Sequence, residues 1–474
     1  MINKTKIVAT LGPASNTREV IQKMIEAGMN VARLNFSHGN YETHAESIKL
    51  IRSLSRTMNR HVGILLDLQG PKISTGKLKD GEPVYLESGN TIRITTQIVS
   101  GTAEKISATN KNLTRDVKKV DTILLDDGLL ELVVMHKRKD VITCRIVKGG
   151  WLKENKGINL PGVSVSAPSL PPKDVRDLNF GIKMGVDFFA LSFVRSADDV
   201  EQIKKHIHKQ GQDTPVIAKI EKPEAIDNLN AILKIADGIM VARGDLGVEM
   251  KPEKVPTIQK TIIKAAILAN KPVITATQML ETMAVNPIPT RAEASDVANA
   301  IYDGTDAIML SAETATGKYP VETVGMMARI AARTERSVFM KYNLEHKCIP
   351  DDPVAHAVAR SAVKILHELS AKGILAFSVS GSTARLISKN RPSERVFAFS
   401  PSLSTCNQLT LVWGITPLYL PNIKVAKQLI EASVRILIHK KLTKADDLIV
   451  IVIGLGFKKG STNVIKIHRV GQDD

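Results

Sequence analysis

Three apolar runs, VIAKIE at 216–221, GIMVARGD at 238–245 and PVITATQ at 272–278, are separated by the helix-like segments Ala225 to Ala236 and Pro256 to Ala269. Each run is a short β-prone stretch that ends in polar residues, and each intervening segment carries apolar residues at helical spacing. Alternation of this kind places the strands parallel in one sheet, with helices packed outside it. Working outward, the same unit recurs at Lys6 to Gly12, Asn30 to Ser37, Val62 to Asp67, Asp187 to Val194 and Asp306 to Ala312. Further helix-like segments lie at Thr17 to Ala27, Ala197 to Lys209 and Arg291 to Tyr302. Eight such units predict a closed (β/α)₈ barrel. The turn Gly12-Pro13-Ala14-Ser15 lacks the glycine spacing of a dinucleotide-binding open sheet.

One connection breaks the rhythm. Between Asp67 and Asp187 lie alternating strand-like stretches, Thr91 to Thr96, Ile123 to Leu125, Glu131 to Met135 and Val141 to Val147. Turns at Asp80-Gly81 and Asp126-Asp127-Gly128 punctuate them. This pattern predicts a small β domain, residues 71–168, inserted after the third barrel strand and standing over the barrel's catalytic end as a lid. The barrel itself is then residues 1–70 and 169–345. After Tyr342 the pattern restarts with a helix at Val354 to Leu369, followed by strands at Ile374 to Val379, Val396 to Phe399, Pro417 to Leu420, Leu448 to Ile453 and Val464 to Arg469. Residues 346–474 thus read as a separate open α/β domain.

Composition sets the class. The chain has 474 residues, 43% hydrophobic and 24% charged, as expected of a globular protein. The N-terminus lacks the pattern of a secretory signal, and no apolar run approaches the ~18 residues that span a bilayer. A cytoplasmic location without membrane partners is expected. Cys144, Cys348 and Cys406 are odd in number and lack metal-ligand spacing, which argues against a disulfide framework or zinc site. The net charge of +17 favours acidic ligands, but the basic residues are dispersed and have no aromatic platform, so no nucleic-acid partner is expected.

Barrel enzymes draw their chemistry from the C-terminal ends of several strands. Period-two alternation predicts that Arg33, Asn35 and Ser37 share one face, as do Lys219 with Glu221, Arg243 with Asp245, and Thr275 with Thr277, while Asp67 closes the third strand. Charges gathered at one barrel mouth are costly unless paired or liganded, so their convergence marks a site. Glu221 and Asp245 are hard oxygen donors suited to Mg²⁺, or Mn²⁺ in its place. Arg33 and Lys219 supply positive charge able to follow a phosphoryl group in transfer. The turn Gly244-Asp245-Leu246-Gly247 leads into a helix start, whose backbone N–H groups suit an anion.

The strings TKIV (5–8), TLGP (10–13), NFSHG (35–39), GPKI (70–73), AKIE (218–221), ARGDLG (242–247), ATQMLE (276–281), PTRAE (289–293), DGTD (303–306) and GSTN (460–463) together resemble the pyruvate kinase family. That resemblance implies Mg²⁺-dependent phosphoryl transfer from phosphoenolpyruvate to ADP, giving pyruvate and ATP, in a homotetramer. It assigns Glu221 and Asp245 to the metal, Lys219 and Arg33 to the migrating phosphoryl group, and Thr277 to the enolate. It places Gly244 and Asp245 against the substrate, and Asn35, His38 and Lys173 on the nucleotide side. The segment Ser380-Gly381-Ser382-Thr383 matches an effector phosphate loop for a sugar phosphate or nucleotide. A Mg²⁺ barrel that makes or breaks C–C bonds through a pyruvate enolate is the alternative, and a catalytically dead basic binding protein is a further one.

Two departures from the family pattern bear on function. Many members hold K⁺ near the positions of Asn35, Ser37 and Asp67, with a Glu in the Gly-Pro-x-Ile turn and a Thr after the third-strand Asp; here those two places are Lys72 and Leu68. A fixed ammonium at Lys72 would stand in for the ion, so K⁺ is not expected to be required. Ser74 replaces an Arg that commonly contacts nucleotide phosphate, which weakens that contact unless a lysine such as Lys77 compensates.

Overall fold

The computed structural model describes residues 3–163, 166, 168–337, 352–421, 425–454 and 462–472. Its largest unit is a closed barrel of eight parallel strands: Lys6–Leu11, Val31–Asn35, Gly63–Asp67, Phe188–Leu191, Val216–Ile220, Gly238–Ala242, Val273–Ala276 and Ala307–Leu310. Each strand pairs with the next in sequence, and the first closes on the eighth through Lys6↔Ala307 to Ala9↔Leu310.

Alternation along these strands divides two cores. Val8, Val31, Leu65, Ala190, Ile217, Met240 and Ile274 meet in the barrel interior. Their neighbours Ala9, Ala32, Leu66, Leu191, Ala218, Val241 and Val273 pack outward against the helices. The expected helices form at Arg18–Ala27, Ala197–Lys209, Val255–Leu268 and Arg291–Tyr302; Thr290 and Glu293 close a capping box on the last. The predicted helix at Ala225 to Ala236 is instead two short ones, Pro223–Asp227 and Leu229–Ile235, because Asn228 leaves helical geometry between them. Sequence reading did not mark Tyr41–Thr57, Pro172–Met184 or Pro320–Glu335, although Asn40 and Thr43 form a capping box on the first.

The segment after the third barrel strand builds its own sheet of six strands. Their order is Ile158–Asn159, Thr122–Leu125, Leu130–Arg138, Val141–Lys148, Thr91–Thr95 and Lys105–Ser107. A separate core of Ile92, Ile94, Leu132, Ile142, Cys144 and Ile146 lies beneath it. The C-terminal unit is an open five-stranded sheet in the order Ile415–Tyr419, Arg395–Ser400, Gly373–Phe377, Leu448–Gly454, Thr462–Arg469, with only the last strand antiparallel.

This unit is packed against the N-terminal end of the barrel. Lys6 Nζ donates to the Ile415 carbonyl (2.5 Å), Arg391 pairs with Asp306 (3.1 Å), and Asn407 donates to Asp187 (3.2 Å). Burial pushes Lys6 down to about 8, aided by the positive charge of Arg395. Burial likewise pushes the Cys144 and Cys406 thiols up to about 12, which leaves them inert. Cys348 and Tyr342 lie outside the described residues, and among those residues no helix is long and apolar enough to cross a membrane.

Candidate active site

The alternation that fills the barrel with apolar side chains changes character at its C-terminal end. Continuing each inward series by two residues gives Thr10 after Val8, Arg33 after Val31, Asp67 after Leu65, Ser192 after Ala190 and Lys219 after Ile217. These five form one hydrogen-bonded cluster. The Arg33 guanidinium donates to Asp67 Oδ2 through Nε (2.7 Å) and to Thr10 Oγ1 (2.9 Å). Lys219 Nζ donates to Ser192 Oγ (2.7 Å), which itself donates to the Leu68 carbonyl (2.7 Å). Lys219 is also ion-paired with Asp67 Oδ1 (3.3 Å) and Glu221 Oε1 (2.9 Å).

Electrostatics distinguishes the acids. Burial opposes ionisation of Asp67, but Lys219 and then Arg33 outweigh it and hold its carboxyl below the ordinary value. For Lys219, burial lowers the pKa, and Asp67 and Glu221 more than reverse that effect, so it stays charged. Glu221 is different: burial raises its pKa despite Lys219, and the charge of Asp245 raises it further. Asp245 is raised in the same sense, mainly by burial, against the pull of Lys219 and Lys72. Glu221 Oε1 and Asp67 Oδ1 are buried, and both depend on the one Lys219 ammonium. Two buried carboxylates with raised pKa values, one of them raised in part by the other and sharing its lysine with Asp67, fit a divalent cation. Among the described residues no cluster of three or more His, Cys, Asp or Glu side chains is arranged for a metal. An ion held by Glu221 and Asp245 would therefore complete its shell with water or substrate oxygens.

Three expectations need correction. The sixth strand stops at Ala242, and Arg243–Glu249 is a short helix, so Arg243 and Asp245 do not share a strand face. The Arg243 guanidinium turns away to Asp296 (2.7 Å) and to the carbonyl of Thr277 (2.6 Å). The seventh strand stops at Ala276, so Thr275 and Thr277 do not share a face either. Thr275 faces the helices and donates to Thr305, while Thr277 sits in left-handed geometry at φ +68°. The backbone N–H of Gly244 is not free, because it donates to Thr277 Oγ1 (2.7 Å). A β-branched residue at positive φ is strained, and Arg243 holds the strained turn by its carbonyls.

On the nucleotide side, Asn35 ends the second strand and its Oδ1 accepts the Ser37 N–H (3.1 Å), so Ser37 lies in the turn beyond the strand. His38 is exposed, and its carbonyl is held by His44 Nε2 (2.9 Å). Lys173 reaches this turn, donating to the Phe36 carbonyl (2.7 Å) and to Asp177 (2.6 Å). Lys72 is exposed and lines, with Asp245 and the lid residues Asp127 and Asn159, the cleft between barrel and lid.

Far from this mouth, Gly381 at φ +79° starts the helix Ser382–Lys389. Ser380 Oγ donates to Ser382 Oγ (3.2 Å), and Thr383 Oγ1 meets Thr462 Oγ1 (2.6 Å). Gly460 and Ser461 lie outside the described residues.

Sequence reasoning missed Thr10, Ser192 and Asp174. The first two were legible as the next inward positions of their strands. Asp174, which accepts the Gly70 N–H (2.8 Å), carries no pattern that marks it.

Comparison with known proteins agrees with this fold. Residues 2–324 match the family model described as the pyruvate kinase barrel domain, and residues 356–468 match the pyruvate kinase alpha/beta domain. The pyruvate kinases of Staphylococcus saprophyticus and of Staphylococcus aureus strain MRSA252 are each 47% identical over 477 residues, spanning 100% of this chain and 81% of theirs. A crystal structure of a pyruvate kinase from Cryptosporidium parvum superposes with a TM-score of 0.92 at 38% identity, covering 99% of this chain and 96% of that one.

Proposed function

Since the chain belongs to the pyruvate kinase family of phosphotransferases, we propose that its barrel mouth transfers the phosphoryl group of phosphoenolpyruvate to ADP, giving pyruvate and ATP. One observation carries the reading: a single ammonium, Lys219, serves two buried acids, beside an arginine already fixed in place. Phosphoryl transfer is mostly positioning and charge stabilisation, and this arrangement supplies both.

Mg²⁺ held by Glu221 and Asp245 would neutralise charge on the substrate's carboxylate and phosphoryl oxygens. Lys219 would stabilise the phosphoryl group in flight, and Arg33, fixed by Asp67 and Thr10, would hold it from the other side. Asn35, His38 and Lys173 would face the nucleotide phosphates. Thr277, whose hydroxyl lies against the Gly244 N–H at the start of the metal-bearing helix, would sit beside the enolate as it takes up its proton. Asp67 is already neutralised by Arg33 and Lys219, and Lys72 acts electrostatically on Asp245. Both support turnover without K⁺ at the site formed by Asn35, Ser37, Asp67 and Lys72.

A coupled assay tests this. Pyruvate should form only when ADP and Mg²⁺ are both present, and KCl should activate no more than a size-matched inert salt at equal ionic strength. Pyruvate release without ADP would favour C–C chemistry on an enolate, and a large specific KCl effect would remove the Lys72 argument.

The loop Ser380, Ser382 and Thr383 would take the phosphate of a sugar-phosphate or nucleotide effector at its helix start. The substitution Ser382→Asp should abolish such activation and leave maximal turnover intact; a preserved response would exclude the loop. A homotetramer in the cytoplasm fits the family, and sedimentation of the purified protein tests the assembly.

A further inference from the structure

The short helix Arg243–Glu249 carries the candidate metal ligand Asp245 in its first turn and ends with Glu249, a buried carboxylate that lies at the same barrel–lid cleft and that the proposed transfer does not use. The side chain of Glu249 is 1% exposed. Its Oε1 accepts from Lys222 Nζ (2.6 Å) and from the lid amide Asn159 Nδ2 (3.1 Å), and its Oε2 is buried without a hydrogen bond. Lys222 directly follows Glu221 in sequence. Its ammonium lies 6.0 Å from the centre of the Phe193 ring, and the Phe193 N–H donates to Glu221 Oε2 (2.7 Å). Phe193 itself is held at φ +54°.

A continuous set of contacts therefore runs from the lid strand Ile158–Asn159 through Glu249 and Lys222 to the turn that holds Glu221. Lys222 alone neutralises Glu249, but it leaves the carboxylate short of donors in a place water does not reach. The lid amide supplies one of those donors only while the lid lies against the barrel. If the lid swings away, Asn159 and Glu249 both become accessible to water. The joint is then a single charge-assisted hydrogen bond, strong enough to bias a mobile lid and weak enough to break in each cycle.

We propose that Glu249 is a positioning residue which docks the lid onto the metal-bearing helix through Asn159 and orients the Glu221 turn through Lys222. The kinetic part of this proposal rests on the phosphoryl-transfer reading; the docking part does not. Weakening the joint lowers the fraction of chains with the lid in place, which weakens apparent binding of a nucleotide held under it and leaves the chemical step alone.

A mutant cycle with Asn159→Ala, Glu249→Gln and the double variant decides the matter, using two readouts on the full chain. In hydrogen exchange, Asn159→Ala should quicken exchange of segments 157–160 and 243–249 together, leaving the lid core around Ile142 protected. In the coupled assay it should raise the KM for ADP about three- to tenfold with kcat within twofold, and the double variant should be no worse than the more severe single one. Unchanged exchange in both segments for Asn159→Ala, or fully additive effects in the cycle, would overturn the proposal. If Glu249→Gln fails to fold, exchange in Asn159→Ala alone settles it. If wild-type protein makes no ADP-dependent pyruvate, the catalytic reading fails, and the exchange data still decide the docking.

Discussion

The two ends of the barrel both bury charge, but they use it differently. At the N-terminal end, Arg391 binds Asp306 and the Gly304 carbonyl and lies over Trp413, Arg52 pairs with Asp187 (2.9 Å), and Lys6 caps a carbonyl of the C-terminal sheet. Arg391 and Lys6 join the barrel to the C-terminal unit, and Arg52 neutralises Asp187, which also receives Asn407 of that unit. At the C-terminal end, the one Lys219 ammonium serves both Glu221 and Asp67, and Thr277 and Phe193 are held in left-handed backbone geometry. Charge balance distinguishes the ends: Asp306 and Asp187 each have an arginine of their own, whereas Arg33 and Lys219 face the three acids Asp67, Glu221 and Asp245, a negative surplus that a bound cation would complete.

The contrast is broken most directly by a pair of substitutions. Glu221→Gln should cut kcat by about 10³ and leave thermal stability unchanged or raised, since it removes a charge that burial disfavours. Arg391→Met should do the reverse. It leaves Asp306 buried without its cation, at a cost of about 3 kcal/mol or more, with kcat/KM preserved in the fraction that folds. Turnover and thermal melting of both variants check this; a stability loss in the first with activity retained would erase the distinction between the ends.

A smaller effect is expected at Thr277. Replacing it with Gly removes the hydroxyl that receives the Gly244 N–H and also relieves a strained φ. Turnover should fall by about 10², while the urea midpoint stays level or rises. A lower midpoint with normal turnover would make the strain structural.

Much of this was legible from the strands. The barrel, the inserted sheet and the C-terminal unit follow from apolar periodicity, and Arg33, Asp67, Lys219 and Glu221 follow from alternation carried to the strand ends. The pairing failed at Arg243 and Thr277 because both follow the outward-facing positions of their strands, Val241 and Val273, whereas Glu221 and Ser192 follow the inward-facing Ile217 and Ala190. Thr10 and Ser192 obeyed the rule, but a lone hydroxyl at a strand end does not stand out as a charge does. Asp174, Asn159 and Glu249 act through contacts between distant segments, which no local pattern encodes.

The smallest predicted effect concerns Asp174. Burial pushes its carboxyl up to about 6, and its Oδ1 accepts no hydrogen bond. A folded-state pKa above the unfolded value means that the native chain holds this proton more tightly, so stability falls as pH rises from about 4 to about 6 and then levels off. Asp174→Asn can still accept the Gly70 N–H without that penalty. It should be more stable than wild type by about 1–2 kcal/mol at pH 8, and by less at pH 5, as followed by urea unfolding. An equal difference at both pH values would place the titration elsewhere.

The central claim is that Glu221 and Asp245 together grip one divalent ion at the barrel mouth. Titration of the purified protein with Mn²⁺, followed by electron paramagnetic resonance in the presence of phosphoenolpyruvate, measures it without turnover. The account predicts one tight site per chain in the wild type, lost or weakened by about 10² in both Glu221→Gln and Asp245→Asn. Unaltered Mn²⁺ binding in either variant would contradict it.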